Sequence, residues 1–266
     1  MVPKEEMELE LTKKSAVCAG LTLQAMLKKL EDIIDRDLRL SNKAVCDELE
    51  QEMDSEEYMK TWEEKHGVDQ GEVDLVYVSL QSGSSFEIKP AIDPTDDQVP
   101  MQGTYLLSVG AKYTDYCSCV ARTLFVDPTP VQKAAYNIAL EIRELVLGSL
   151  TPDAVFRDVY LSARAKVQER KPELVDRFAK SVGFVTGLEF RDPSFMLTEK
   201  STRRVVPGMA LCLSVGFAEP SGPPWATWIA DTVLVPLGGG PCVVTTSACP
   251  SGVEAVMYEL DDGPPP

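Results

Sequence analysis

Histidine is almost absent from this chain of 266 residues, which contains His66 and no other imidazole. Its two closely spaced cysteines, Cys117 and Cys119, are followed by no second cysteine pair and by no histidine at the spacing of metal ligands. Zinc sites in proteins take three or four protein ligands at characteristic spacings. The sequence therefore contains no zinc signature, and we expect no bound metal and no cofactor.

Long apolar runs are also missing. No run approaches the roughly 18 residues that a helix needs to span a bilayer, and no signal-peptide pattern precedes the first predicted helix. The seven cysteines are odd in number, scattered and mostly set in apolar surroundings, which is typical of reduced, buried thiols in an intracellular protein. We therefore expect a protein of the cytoplasm or nucleus that has no membrane partner.

Basic residues are outnumbered, with 26 Lys and Arg against 42 Asp and Glu and a formal net charge of -16. This balance disfavours DNA as the main ligand and favours a basic partner. Acidic residues crowd residues 47–64, and this segment is either a solvated helix face or a docking patch for a basic protein. The candidate docking residues are Glu48, Glu52, Glu56 and Glu57.

Apolar spacing in the first part of the chain predicts helices. Positions such as Ala16, Leu23 and Leu30 lie on one helical face, which indicates a long amphipathic helix within residues 4–39. Ser41 is a suitable N-cap for a second helix. The acidic segment that follows is predicted to be a loop that passes through Gly67.

Capping residues predict two further helices. Thr129 and Gln132 form a capping-box pattern around a proline, so a helix should begin there and end at Gly148. Thr151, which precedes another proline, repeats the start signal. Strands are predicted at 72–80, in a hairpin at 105–127, and at 182–190, 209–217, 226–235, 242–246 and 253–260. Because helices and strands segregate along the chain, the pattern favours an α+β fold.

The hairpin holds the first candidate site residues. Around a turn centred near residues 113–115, Ser108 and Cys119 fall opposite one another to within about one pairing step. Opposed residues on antiparallel strands share a face of the sheet. We therefore predict that Ser108 and Cys119 line a common pocket.

Four motifs occur in a fixed order: LLSVGAKYTDYCSCVARTLFVD at 106–127, GLEFRD at 187–192, PGMALCLSVGF at 207–217 and DTVLV at 231–235. Together they resemble the pita-bread peptidases, which include methionine aminopeptidase, aminopeptidase P and prolidase. The resemblance extends over almost the whole chain. It implies curved antiparallel sheets flanked by helices, in one lobe over residues 1–260. The residues at 261–266 are themselves typical of a disordered tail.

Catalytic members of that family hold two divalent metals with two aspartates, one histidine and two glutamates, a hard-ligand set suited to activating water. None of the five matching positions in this chain carries its metal ligand. Those positions are Ser108, Cys119, Phe184, Ser214 and Ala230. The resemblance therefore implies a chain that is not an enzyme.

Among non-catalytic relatives, the sequence YCSCVART at residues 116–123 is similar to that in the amino-terminal domains of the large subunits of FACT histone chaperones. That resemblance implies a nuclear chromatin protein that binds core histones or histone tails during transcription, replication and repair. It also implies a small HMG-box-type subunit that binds outside this chain. The chain is expected to be a fragment, without the smaller lobe that precedes this domain in FACT and without the domains that follow it. The alternative is a scaffold that docks replication or transcription factors through its acidic surface.

The resemblance also points to groove residues. Glu189, Arg191 and Asp192 lie where the peptidases carry a second histidine on the substrate side, so they are candidate histone contacts. Arg122 is either a structural arginine that anchors the hairpin or a further groove residue, and the sequence leaves both interpretations open.

Overall fold

The computed structural model describes residues 3–219 and 224–260. The helices are α1 (Glu6–Asp35), α2 (Asn42–Met53), α3 (Glu56–His66), α4 (Pro130–Ser149) and α5 (Phe156–Arg170). The strands are β1 (Val73–Ser82), β2 (Gly103–Tyr113), β3 (Tyr116–Val126), β4 (Gly183–Thr186), β5 (Ala210–Ala218), β6 (Ala226–Leu234), β7 (Val243–Val244) and β8 (Met257–Tyr258). The predicted tail at 261–266 lies outside the described residues. None of the helices in the described ranges is long and apolar enough to cross a membrane.

One sheet organises the chain. Its strand order is β1-β2-β3-β6-β5-β4, and neighbours along this path are antiparallel; β7 adds to β6, and β8 pairs in parallel with β3. Helices α1 and α2 pack against β1 to β3, and α4, backed by α5, packs against β5 and β6. The segregation of helices and strands that the sequence predicts is confirmed.

Local capping signals position two of the helices correctly. Ser41 Oγ accepts a hydrogen bond from the Ala44 amide at the start of α2. At the start of α4, the Thr129 amide donates to Gln132 Oε1 at 2.7 Å while Thr129 Oγ1 accepts from the Gln132 amide. These reciprocal bonds satisfy amides that have no partner within the helix.

Helix α3 corrects the predicted loop after α2. Ser55 Oγ caps it, and Gly67 ends it with φ of 63°, a left-handed conformation that glycine adopts at little cost. The helix is polar on most sides, so its sequence shows no apolar stripe. It is anchored instead by Trp62, which is 4% exposed.

The boundary between α4 and α5 also differs from the prediction. Helix α4 continues past Gly148, and α5 begins at Phe156 rather than after Thr151. Asp153 has φ of 68°, and its amide donates to the Val205 carbonyl at 2.9 Å. A residue held in the left-handed region cannot belong to a right-handed helix, so the start of α5 is displaced beyond it.

The strand predicted at 242–246 forms only the two-residue β7, and two further predicted strands are also much shorter than expected. The segment predicted at 182–190 forms only β4, because the Gly187 amide donates to the Glu189 carbonyl at 3.1 Å and closes a turn. The segment predicted at 253–260 consists of a 3-10 helix, Val253–Ala255, and the two-residue β8. Both shortened segments lie beside the cleft or at the margin of the sheet, where local turns replace ladder pairing.

Candidate functional site

The hairpin turn sets the register at the site. Tyr113 pairs with Tyr116 across a two-residue turn, so Ser108 pairs with Ala121 and Cys119 pairs with Gly110. Ser108 and Cys119 are therefore offset by two residues instead of about one, because the turn is one residue shorter than the assumed loop. The two residues still share a face, as diagonal neighbours two positions apart.

The remaining three positions lie on the same face of the sheet. Ser214 on β5 pairs directly with Ala230 on β6, and Ala121 on β3 pairs with Ala230 from the other side. Phe184 on β4 belongs to the same buried apolar cluster as Cys119 and Ala230. The sheet therefore brings together all five positions that the sequence singles out, on the face opposite the helices.

Hydrogen bonds within this face occupy its polar atoms. Trp228 Nε1 donates to Ser214 Oγ at 2.8 Å, and Tyr77 Oη lies 3.2 Å from Cys119 Sγ. Burial raises the pKa of the Tyr77 phenol well above its ordinary value; the Cys119 thiol adds to this, while a hydrogen bond with Ser108 opposes it. Hydroxyl, thiol and indole groups therefore fill the centre of the face.

The loop between β1 and β2 covers part of this face. Gln81 holds it in place, since Gln81 Nε2 donates to the Glu87 carbonyl at 3.1 Å and the Glu87 amide donates to Gln81 Oε1 at 2.7 Å. Phe86 and Ile88 pack against the apolar cluster. Ile88 lies so close to Gly216 that a Cβ there would come within 2.9 Å of Ile88 Cγ2. Gly216 therefore provides the space that the loop needs.

A cleft of about 690 Å³ remains between this loop and the segment around β4. Phe184 and Ser214, two of the five positions, contribute to its floor. It is lined by Glu87, Ile88, Lys89, Pro90, Ala179, Lys180, Ser181, Gly183, Phe184, Arg191, Met196 and Ser214. The volume lies within the range of about 300 to 1,000 Å³ that is common for ligand sites.

Glu189 and Asp192 line a second, separate cavity of about 430 Å³, together with the exposed Leu188. Lys4 forms its buried wall and donates from Nζ to the Thr186 carbonyl at 2.7 Å. Burial lowers the pKa of the Lys4 amine to about 8, although Glu8 opposes the shift. The structure thus divides the predicted groove residues, because Arg191 lies in the first cleft.

Arg122 is not a groove residue. It is 1% exposed, and alternation along β3 directs it away from the face that carries Cys119. Its Nη2 donates to Asp231 Oδ1 at 2.7 Å, and its other donors reach main-chain carbonyls, including that of Cys249. Its burial and its partners favour the structural alternative for Arg122, which lines neither of the two cavities.

The candidate acidic patch is partly neutralised. Lys29 on α1 bridges Glu48 at 3.0 Å and Glu52 at 2.6 Å. The side chains of Glu56 and Glu57 lie outside the described part of the structure. The charge available at this surface is therefore lower than the sequence suggests.

The residues at the site do not fit the two-metal centre of the peptidases. That centre needs several carboxylates around two cations about 3.5 to 4 Å apart, whereas the five positions supply two hydroxyls, a thiol, a phenyl ring and a methyl group. Over residues 3–219 and 224–260, no group of three or more His, Cys, Asp or Glu side chains converges as a metal site would require.

Sequence reasoning missed Tyr77, Trp228 and Lys180, and also the covering loop. Trp228 lies two residues before Ala230 in the sequence, a spacing that places both side chains on one face of a strand. The position of Lys180, shortly before the matched position Phe184, was a further signal. The loop carried no comparable signal, because its contacts join residues that are distant in the chain.

Comparisons with known proteins give consistent results. The sequence model of metallopeptidase family M24 matches residues 10–236. The FACT complex subunit ctc-2 of Neurospora crassa is 30% identical, over 97% of this chain and 26% of its own length. The N-terminal domain of SPT16 from Eremothecium gossypii superposes with a TM-score of 0.90 at 26% identity, over 97% of this chain and 61% of that chain. Prolidase from Pyrococcus furiosus shares the fold, with a TM-score of 0.72 at 21% identity over 92% of this chain and 65% of that one.

The chain thus spans about a quarter of the length of the first of these curated relatives. The predicted α+β pita-bread fold is confirmed by the likeness to both the SPT16 domain and the prolidase.

Proposed function

The chain belongs to metallopeptidase family M24, and we propose that it is a non-catalytic recognition domain of a chromatin factor, which binds histones or histone tails during nucleosome reorganisation. The observation that carries this proposal is the similarity to FACT complex subunits over 97% of the chain. The predicted resemblance to that group within the pita-bread proteins is confirmed. The histone ligand and the nuclear location of this domain are our inference.

Loss of peptidase chemistry is the first part of the proposal. We infer that Ser108, Cys119, Phe184, Ser214 and Ala230 replace the five metal ligands of the catalytic relatives. The hydroxyl of Ser214 already accepts the Trp228 indole N–H, and Phe86 and Ile88 pack on the same apolar cluster. The five positions supply no carboxylate or imidazole that could activate water, so we assign no hydrolytic step to them.

Metal analysis combined with an aminopeptidase assay tests this part. The purified chain is dialysed with Mn²⁺, Co²⁺ or Zn²⁺, and metal content is then measured beside turnover of an N-terminal peptide substrate. We expect neither stoichiometric metal nor turnover. Two bound metals per chain together with turnover would refute the assignment.

Histone recognition is the second part. Its support is the acidic cavity beside Lys4, where Glu5, Glu8, Glu189 and Asp192 surround a space bordered by the exposed Leu188. Carboxylates around an apolar rim suit the lysine and arginine side chains of histones, whose long aliphatic stems pack on apolar surface while their charged ends meet the acids. The net charge of -16 favours the same class of partner.

Binding of core histones and of histone-tail peptides at several salt concentrations tests the second part. We expect saturable binding that weakens with salt, and that falls about tenfold for Glu189→Lys combined with Asp192→Lys, because each change replaces an attraction with a repulsion. Glu48→Lys combined with Glu52→Lys is the matched charge reversal. If only the Glu48 and Glu52 variant abolishes binding, the acidic scaffold, not the groove, is the binding surface. The absence of any histone binding refutes both hypotheses.

The partners of the whole protein follow as proposals. We infer that a small HMG-box-type subunit binds outside this chain, and that replication or transcription factors are further partners. DNA is not expected to be the main ligand of this domain, because its net charge repels a polyphosphate.

A further inference from the structure

The cleft above the apolar cluster is basic, although the chain as a whole is strongly acidic. Three cations, Lys89, Lys180 and Arg191, line it together with one carboxylate, Glu87. Lys89 and Glu87 pair with each other at 2.7 Å. Lys180 and Arg191 therefore determine the net sign of the cleft.

These two cations are available for a ligand. Both are exposed, and no carboxylate of the described residues lies within 4.0 Å of either charged group. Arg191 is held over the Phe184 ring, with its guanidinium carbon 5.9 Å from the ring centroid. A concave surface focuses the field of its charges, so unpaired cations act more strongly there than on an open surface.

The rest of the lining is largely apolar. Ile88, Pro90, Phe184 and Met196 contribute side chains to the cleft, while the Ser214 hydroxyl is engaged by Trp228. A ligand that fits must therefore combine negative charge at the rim with an apolar group for the floor. We propose that this cleft docks an acidic peptide segment that carries an aliphatic or aromatic side chain.

A peptide fits this lining better than a nucleic acid does. Single-stranded nucleic acid is bound by aromatic side chains on which bases stack, but Phe184 is only 2% exposed and Arg191 covers it. A polyphosphate would also meet the field of a chain with net charge -16, whereas a short acidic segment carries its charge locally. The apolar floor has no role in contacts to a phosphate backbone.

This cleft is distinct from the cavity proposed for histones. Glu189 and Asp192 line the acidic cavity, whereas Arg191 belongs to the basic cleft. A basic histone tail would be repelled by Lys180 and Arg191. The domain would therefore hold two ligands of opposite charge on neighbouring surfaces, and each can be tested separately.

Fluorescence anisotropy of the whole chain tests the proposal. The probes are fluorescein-labelled short peptides of Asp and Glu, each with one central Leu, Phe or Met. The same peptides with Lys in place of the acids, and a single-stranded oligothymidylate, serve as comparison ligands. The variant is Lys180→Glu combined with Arg191→Glu, and Arg164→Glu is the matched control, an exposed arginine on α5 that does not line the cleft.

We expect an acidic probe to bind in a salt-dependent manner, with affinity at least about tenfold lower for the double variant and unchanged for Arg164→Glu. Thermal unfolding of each variant confirms that it is folded. The absence of saturable binding up to about 1 mM of every acidic probe, or equal binding by the double variant, would overturn the proposal. Tighter binding of the oligothymidylate that is lost in the same variant would assign the cleft to nucleic acid instead.

Discussion

Replacing Asp231 with asparagine tests the buried charge network that joins β3, β6 and α4 on the helix-bearing face of the sheet. Asp231 is 0% exposed and receives hydrogen bonds from Arg122 at 2.7 Å, from Arg143 at 2.7 Å and from Thr246 at 2.7 Å. Arg122 is itself 1% exposed. The carboxylate is therefore the countercharge for two arginines, one of which has almost no access to water.

The magnitude follows from what the asparagine leaves behind. Arg143 still has Glu144 as a partner, but Arg122 keeps only carbonyl acceptors. Breaking a buried ion pair by removing one partner costs about 3 to 5 kcal/mol, because a charge stays buried without compensation. A domain with a typical stability of about 5 to 15 kcal/mol would lose a large share of it.

Urea unfolding at several pH values measures this loss. Burial alone raises the pKa of Asp231, but Arg122 and Arg143 hold it below its ordinary value. A carboxylate whose pKa is lowered by folding stabilises the fold at pH values above its pKa in the unfolded chain, which is about 3.9. This contribution disappears as the pH falls through the pKa of the folded state. The difference in unfolding free energy between wild type and Asp231→Asn should thus be constant above about pH 5 and shrink below about pH 4.

Asp176→Asn is the matched control, because Asp176 is exposed and has no ion pair among the described residues. It should change the unfolding free energy by less than about 0.5 kcal/mol. A cost below about 1 kcal/mol for Asp231→Asn, or a difference that does not depend on acid pH, would refute the reasoning.

Three further changes test other parts of the structure. Ser214→Ala should lower the unfolding free energy by about 1 to 3 kcal/mol, because the buried indole N–H of Trp228 loses its acceptor; an unchanged urea midpoint would mean that another acceptor replaces the serine. Thr129→Ala should cost about 1 kcal/mol through loss of the α4 cap, whereas Thr129→Ser should retain most of the stability. Burial lowers the pKa of Lys4 to about 8, so between about pH 8 and pH 10.4 the unfolded chain binds more protons at this amine. Wild type should therefore gain stability relative to Lys4→Met as the pH rises through that window, and a constant difference would contradict the lowered pKa.

Local chemistry made part of the fold predictable. The Thr129 and Gln132 pattern specifies a helix start because the two side chains satisfy each other's amides three residues apart. The hairpin is similarly local, since its strands adjoin in the chain. The one-residue register error at Ser108 arose because turn length, which the strand pattern does not encode, fixes the pairing.

Other features depend on contacts that no sequence window contains. Helix α3 has no apolar stripe, and Trp62 anchors it in the core with Tyr58 packed beside it. The basic cleft combines Lys89 from the loop after β1 with Lys180 and Arg191 from the surroundings of β4. A net charge of -16 says nothing about such a local reversal, because the sign of a cleft is decided by which few side chains the fold places there.

Alternation along the strands separates the five site positions from the charge network that stabilises the sheet. Ala230 belongs to the apolar cluster below the cleft, while its neighbour Asp231 faces the opposite side of the sheet and anchors Arg122. On β3, Cys119 and Arg122 likewise project to opposite faces of the sheet. Because successive residues of a strand project to opposite faces, substitutions at the cleft positions leave the charge network beneath them intact. Changes at cleft residues such as Ser214 should therefore cost less unfolding free energy than changes at Asp231.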